Sequence, residues 1–465
     1  YSEEHFLRRY WCYLPAVIDR DRRDNGDYYK KPTQYWFINC EPKHNFIFSA
    51  PNYKNKKRYK TNKYPIRQRI YLTWLIGLLC KIMTIGKKYK IEKINMEGLK
   101  PPYLMLSNHM YFVDFELTAL GLFPHRMNNV VNIDGFYRRP WLMEWIGSIG
   151  TRKFTNDRHL IKSILHCLKR GDAVGMYPEA RYTACGELAY LPESLGKLVK
   201  LAKAPIVTVV HHGNHLYTPF FNWRNPRKVP LHTTIEKILT PEQIEKMSVD
   251  EINQLLKEKL AYDEYQYQLD NNILIKDKHR AEGLHKILYK CPHCLKEGVM
   301  NSKGSKVYCE ECGALYNLNE NGTLEAINNE TKFSKVLDWY HWERECVKEE
   351  ILNGTYHFSD EIEIYGFPRC WKFIKLGNAK VRHTIEEGFV VEGEYNGSLY
   401  RILRKPIEAN SLHIEFDYCY VKPLDAFYIN TEDDSYLCYP KKDNVVTKLS
   451  FAVEELYQLH LKRVK

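Results

Sequence analysis

Tyr103-Leu104-Met105-Leu106-Ser107-Asn108-His109-Met110-Tyr111-Phe112-Val113-Asp114 opens as an apolar run, crosses a polar turn and closes on an acidic residue. A short apolar run bounded by turn residues predicts a buried strand, with His109 in the loop at its end and Asp114 in the first turn of a helix. Outward from this stretch the same grammar repeats. Val130 to Ile133, Ala173 to Tyr177 and Ile206 to Val210 read as strands, and Leu160 to Lys169 and Glu193 to Ala202 as helices. From Lys88 to Lys237 the order is therefore α/β. Ligands of open α/β sheets gather at strand ends, which is where His109 falls.

The spacing of His109 and Asp114 suits proton transfer. A carboxylate in the first helical turn can hold one imidazole nitrogen and leave the other free as a base. With 18 histidines in the chain and Asp at roughly 5% of positions, about one such pair arises by chance. Neighbouring features add the weight. The strand ending at Tyr177 runs into Pro178-Glu179-Ala180-Arg181, and Ala204-Pro205 leads another strand. Gly135-Phe136-Tyr137-Arg138-Arg139-Pro140 and Gly150-Thr151-Arg152-Lys153-Phe154 are cation-rich turns between them.

This ordered set resembles the glycerolipid (lysophosphatidic acid type) acyltransferase family. Its four blocks are an Asn-His-x4-Asp, a Gly/Arg/Pro-rich turn, a Phe-Pro-Glu-Gly-type block and a Val-Pro-type strand. The likeness covers about residues 70–240, with the first block matched at Asn108, His109 and Asp114 and the fourth at Pro205. RAEGLHKILYKCPHC, DWYHWEREC and LPESLGK look like a bacterial subgroup with a zinc ribbon and a C-terminal extension. The resemblance implies an α/β acyltransferase domain whose mixed sheet is flanked by helices. It also implies a reaction: an acyl group passes from acyl-CoA or acyl-ACP to a lysophospholipid hydroxyl, 1-acylglycerol 3-phosphate giving phosphatidic acid. Another lysophospholipid or hydroxylated acceptor is the nearest alternative. His109 would be the general base and Asp114 its support, while Asn108, Glu179, Arg181, Arg152, Lys153 and Arg138 would bind substrate. Two blocks depart from the pattern. Ala180-Arg181-Tyr182 stands where Gly-Thr-Arg is usual, and Asn156-Asp157 falls near the second block's terminal Arg.

Cys291-Pro292-His293-Cys294 and Cys309-Glu310-Glu311-Cys312 form two C-x2-C knuckles. The spacing predicts a zinc ribbon whose four thiolates close around a structural Zn²⁺, with His293 outside the shell. The chain holds 13 cysteines, an odd number and too sparse for a secreted disulfide scaffold, so a reducing, cytoplasmic setting is expected. No apolar signal-peptide core lies near Tyr1.

Asn52 to Arg69 carries many Lys and Arg with no Asp or Glu, and Ile70 to Gly86 follows as an apolar helix with a thin polar stripe. Seventeen residues make ~26 Å, short of the ~30 Å hydrocarbon core. A basic run beside such a helix predicts peripheral attachment to anionic lipids at the inner face of the cell membrane.

With 69 Lys and Arg against 57 Asp and Glu, 465 residues and 44% hydrophobic side chains, this is a folded, basic, multidomain chain. The expected layout is a basic aromatic segment (1–65), an interfacial helix (66–90), the acyltransferase domain (91–284), the zinc ribbon (285–332), and a linking helix with a small β-rich domain and terminal helix (333–465). That last domain is expected to be a sandwich or barrel, similar in outline to pleckstrin-homology-like domains. The polar helix from Thr240 is expected to bridge out of the acyltransferase domain. Two readings of other classes compete: a nucleic-acid binder built on the ribbon, and an inactive lipid-binding scaffold. The basic run abuts the apolar helix and not the ribbon, which points away from nucleic acid as a partner. His109, Asp114 and Glu179 together argue against the scaffold.

Overall fold

Fourteen residues of the apolar stretch, Ile70–Met83, form helix α1 in the computed structural model of the chain. The structure describes residues 63–418 and 420–464, with 50, 51 and 53 and the backbone of three short strands before them. Residues 52 and 54–62 of the expected basic run lie outside the described residues. The early strands are β1 (Val17–Asp21), β2 (Pro32–Trp36) and β3 (Ile47–Phe48), the first two paired antiparallel. Helix α1 buries Leu72, Thr73 and Cys80 and turns an apolar face outward, Trp74 being 60% and Leu78 57% exposed. Gly77 lets the ring of Phe123 pack directly on the helix, since a Cβ there would lie 2.9 Å from it. Among the described residues no helix is long and apolar enough to cross a membrane.

The central sheet has seven strands: β4 (Tyr89–Ile94), β5 (Tyr103–Ser107), β6 (Met127–Asn132), β7 (Ile149–Thr151), β8 (Ala173–Met176), β9 (Ile206–His212) and β10 (Leu231–Leu239). Their spatial order is β4-β10-β9-β5-β8-β6-β7. Neighbours run parallel except β9 and β10, so the sheet is mixed. All five residues of β5 are buried. Tyr103 and Met105 enter one core with Leu122 and Ile235, while Leu104 and Leu106 enter another with Ile164, Leu198 and Leu256. A strand covered on both faces reads as continuous apolar text, which is why it was visible without alternation. Helix α2 (Val113–Leu122) follows β5, and α3 (Arg158–Lys169) and α4 (Ser194–Ala202) cover the opposite face.

The polar helix expected to leave the domain stays in it. Thr240, Ser248 and Asp263 each cap a separate helix: Pro241–Lys246, α5 (Val249–Leu260) and Glu264–Asp270. Ser248 Oγ accepts from the Glu251 amide, and Glu251 Oε2 accepts from the Ser248 amide at 2.7 Å, a capping box that restarts the chain in a new direction. Ile252, Leu256 and Leu260 then bury one face of α5 against the sheet and α4.

The cysteine segment is a four-stranded antiparallel meander, β11 (Met300–Lys303), β12 (Lys306–Cys309), β13 (Leu315–Leu318) and β14 (Leu324–Ala326). Helix α6 (Val336–Leu352) leads to β15 (His357–Gly366), β16 (Ile374–Thr384), β17 (Gly388–Tyr395), β18 (Ser398–Arg404), β19 (His413–Tyr418), β20 (Leu424–Asn430) and β21 (Ser435–Pro440), and α7 (Val446–Val464) closes the chain. These strands form one sheet, β19-β20-β21-β15-β16-β17-β18-β3, which β3 joins in parallel at its edge. Phe389 on β17 stacks on Phe427 on β20 at 5.6 Å. Four strand spacings of about 4.8 Å would separate them by roughly 19 Å in a flat sheet, so this one curls over on itself. It is a single curled sheet, and among the described residues its edge strands do not pair. The ribbon, α6, this sheet and α7 share one apolar core, which also takes in Ala184, Cys185, Phe220 and Phe221 from the first domain.

Candidate active site

The carboxyl ends of β5, β8 and β9 lie side by side in parallel, and they bring Asn108-His109, Glu179 and Asn214 together. His109 Nδ1 lies 3.1 Å from Asp114 Oδ2. The same oxygen accepts from the amides of Met110 (2.6 Å) and Tyr111 (3.0 Å), and Asp114 Oδ1 accepts from Asn214 Nδ2 (2.7 Å). Asp114 is completely buried in the first turn of α2, where amides point outward and anions are favoured. Burial works to raise its pKa, but the bonds from His109 and Asn214 and the nearby His211 outweigh this and hold it below the ordinary carboxylate value. Asp114 is therefore ionised.

Burial lowers the pKa of His109, Asp114 raises it and the charge of Lys153 lowers it, with a net result below the usual imidazole value. The ring is neutral at pH 7. Since Asp114 accepts at Nδ1, the proton sits there and Nε2 keeps its lone pair. The imidazole is stacked on Tyr177 at 3.8 Å and flanked by Tyr182 at 4.4 Å, so its plane is fixed. Its side chain is 18% exposed.

The remaining predicted residues divide by contact. Asn108 is buried, exchanging hydrogen bonds with the backbone of His211 at 3.0 and 2.9 Å, and so ties the end of β5 to β9. Glu179 accepts from the His109 amide at 3.0 Å and the Ala189 amide at 2.8 Å, with Tyr262 Oη 3.2 Å away. Burial pushes its carboxyl up to about 7. Its oxygens brace the His109 loop. Arg181 is buried in an ion pair with Glu454 (2.9 Å) and gives a hydrogen bond to Ser450 (2.7 Å), both on α7. Arg152 is buried with Nη1 on the Glu432 carbonyl at 3.2 Å. Arg138 is exposed, its guanidinium 5.0 Å from the ring of Tyr137. Lys153 reaches His413 Nε2 at 3.1 Å.

Sequence reading missed Asn214, His211, Tyr177 and Tyr182. His211 is fully buried, with Nε2 3.2 Å from Thr118 Oγ1 and Nδ1 2.9 Å from Thr233 Oγ1, behind Asp114. Its signal was its place at the end of a strand parallel to the one carrying His109.

Cys291, Cys294, Cys309 and Cys312 present their sulfurs within 4.8 Å of one another, close enough to hold one metal ion. The Cys291–Cys312 and Cys294–Cys309 sulfurs are 3.7 Å apart. A disulfide needs about 2.05 Å. A tetrahedron with Zn–S bonds of about 2.3 Å has edges of about 3.8 Å. The four residues fit zinc.

No protein-family model matches the sequence, and no curated protein matches it. Among solved structures, the chain aligns with the 1-acyl-sn-glycerophosphate (LPA) acyltransferase PlsC from Thermotoga maritima. That alignment is 14% identical, spans 41% of this chain and 77% of the other, and has a TM-score of 0.35.

Proposed function

We propose that this chain is an O-acyltransferase that moves a fatty acyl group from an acyl thioester, on coenzyme A or acyl carrier protein, to the hydroxyl of a lysophospholipid. One observation carries the reading: a neutral imidazole with Nδ1 on an ionised, buried carboxylate and Nε2 open between two tyrosine rings, at the carboxyl edge of a mixed sheet.

His109 Nε2 takes the proton of the acceptor hydroxyl as its oxygen attacks the thioester carbonyl. The tetrahedral intermediate collapses with loss of the C–S bond, and the leaving thiolate takes the proton back from Nε2. An ester and a free thiol result, with no acyl-enzyme. Asp114 stabilises the imidazolium that forms between the two proton transfers, a contribution of about 10²–10⁴-fold for the base as a whole. Glu179 holds the loop that aims the ring. In the ribbon, Cys291, Cys294, Cys309 and Cys312 would hold Zn²⁺, which would supply cross-linking of the fold and no chemistry.

The lipid substrates are reached from a bilayer surface. The exposed Trp74 and Leu78 of α1, with Trp145 nearby under Arg69 (5.3 Å from its ring), form an apolar face with a cationic edge suited to anionic lipid. The family resemblance names 1-acylglycerol 3-phosphate as acceptor. Incubation of purified protein with long-chain acyl-CoA and a panel of lysophospholipids tests the activity, and failure of every acceptor and donor would refute it.

A further inference from the structure

Asp114 holds one edge of the His109 ring, and four further contacts come from a single segment after β8, residues 177–183. Tyr177 stacks on the imidazole at 3.8 Å and Tyr182 flanks it at 4.4 Å. Glu179 accepts from the His109 amide at 3.0 Å, and the Thr183 amide donates to the His109 carbonyl at 2.8 Å. The segment is tightly turned. Its Ala180 amide donates to the Tyr177 carbonyl at 3.0 Å, and Ala180 stands at φ +54°. A residue with a Cβ keeps that left-handed conformation only where its surroundings hold it.

The holder is reached through the next residue. Arg181 Nη1 lies 2.9 Å from Glu454 Oε1 and donates to Ser450 Oγ at 2.7 Å. Ser450 and Glu454 are four residues apart on α7 and so share one face of that helix. The face is itself anchored: Ser411 Oγ donates to Glu454 Oε1 at 2.7 Å, and Arg344 of α6 pairs with Oε2. Arg181, Ser450 and Glu454 are all buried, so water and salt screen this pair little. Tyr182 leans on the same region, its ring 5.4 Å from Phe220, which packs on Phe416 of β19 at 5.1 Å. Arg181 keeps one buried donor, Nε, without a partner, so a substrate contact is the rival role.

Resting on the acyl-transfer reading, we infer that Arg181 and Glu454 are positioning residues: through their ion pair, helix α7 fixes residues 177–183 and so aims Nε2 of His109. The end of the chain is then needed for catalysis although it supplies no reacting group.

The test uses the full-length chain and two readouts, one of which needs no activity. Arg181→Met removes the tie without stranding a buried charge, because Glu454 keeps Arg344 and Ser411. Hydrogen exchange read by peptide mass spectrometry should rise about ten-fold or more at the amides of His109, Thr183 and Ala189, with β20 and β21 unchanged. In acyl transfer from long-chain acyl-CoA to a lysophospholipid, kcat should fall about ten-fold or more while KM stays within about two-fold. Arg181→Lys, which keeps the charge, should recover part of both. Ser450→Ala removes one hydrogen bond and no charge, so it should move both readouts the same way by about two- to ten-fold, and it carries the test if Arg181→Met does not fold. Unchanged exchange in the folded variants, an unmoved kcat, or a raised KM alone would overturn the inference and leave acyl transfer standing, the last by making Arg181 a substrate contact. Faster exchange at those amides in a chain whose native form acylates nothing would uphold the tie to α7 and refute the acyl-transfer reading.

Discussion

Replacing Asp114 by Asn keeps the volume and removes the charge, which makes it the sharpest probe of how His109 is held. The carboxylate accepts from four groups: His109, two backbone amides and Asn214. An Asn in its place offers one acceptor oxygen. The two amides, at 2.6 and 3.0 Å, compete for that oxygen with imidazole Nδ1. Asn214 Oδ1 is buried without a hydrogen-bond partner, so it can turn to take the new amide N–H, and the fold survives at a cost of about 1–3 kcal/mol. His109 pays the larger penalty. Its Nδ1–H then faces a neutral amide oxygen shared with two backbone amides, and the imidazolium that forms when Nε2 takes a proton no longer has an anion beside it. A loss of about 10²–10⁴-fold in kcat follows, with KM little changed. Initial-rate acyl transfer, with thermal unfolding of the same preparation, separates the two effects. An Asp114→Asn variant that keeps a tenth or more of wild-type kcat would refute the assignment.

Other consequences are open to measurement. Because His109 titrates below its ordinary value and acts only when neutral, kcat/KM should be flat through pH 7 and fall only on the acid side of the normal imidazole range; an acid limb centred above pH 7 would contradict this. Native protein should contain about one zinc per chain, and Cys309→Ser should lower that content and the unfolding temperature together, because Cys309 shares a core with Trp339 and Phe451; metal content well below one would count against the site. Trp74→Glu with Leu78→Glu removes two side chains more than half exposed on α1, worth about 2–3 kcal/mol of insertion, so liposome co-sedimentation should weaken roughly 30- to 150-fold with secondary structure unchanged. Equal co-sedimentation would place the contact elsewhere.

Much of the α/β domain was legible because its signals are local. Buried parallel strands such as Tyr103–Ser107 are continuous apolar runs, and the His109–Asp114 pair and the two cysteine knuckles lie within a few residues of each other or at a telling spacing. The break at Ser248 was also written locally, as Ser-x-x-Glu, but the helical apolar spacing across it concealed the restart. What could not be read were long-range pairings. The partner of Arg181 lies 269 residues away at Ser450 and that of Lys153 260 residues away at His413. Nothing within a few residues of either cation distinguishes a buried ion pair from a ligand contact. The same holds for Ile47 and Phe48, which join the edge of a sheet built more than 300 residues later.

The central claim is that the free nitrogen of one imidazole moves the proton of an acceptor alcohol. Single-turnover acyl transfer from labelled acyl-CoA to a lysophospholipid, comparing the native chain with His109→Ala at matched folding, measures that step directly. The His109→Ala rate should be reduced at least about 10²-fold, with no acyl group retained on the protein in either sample. Equal rates, or a stable acylated protein on the path to product, would contradict it.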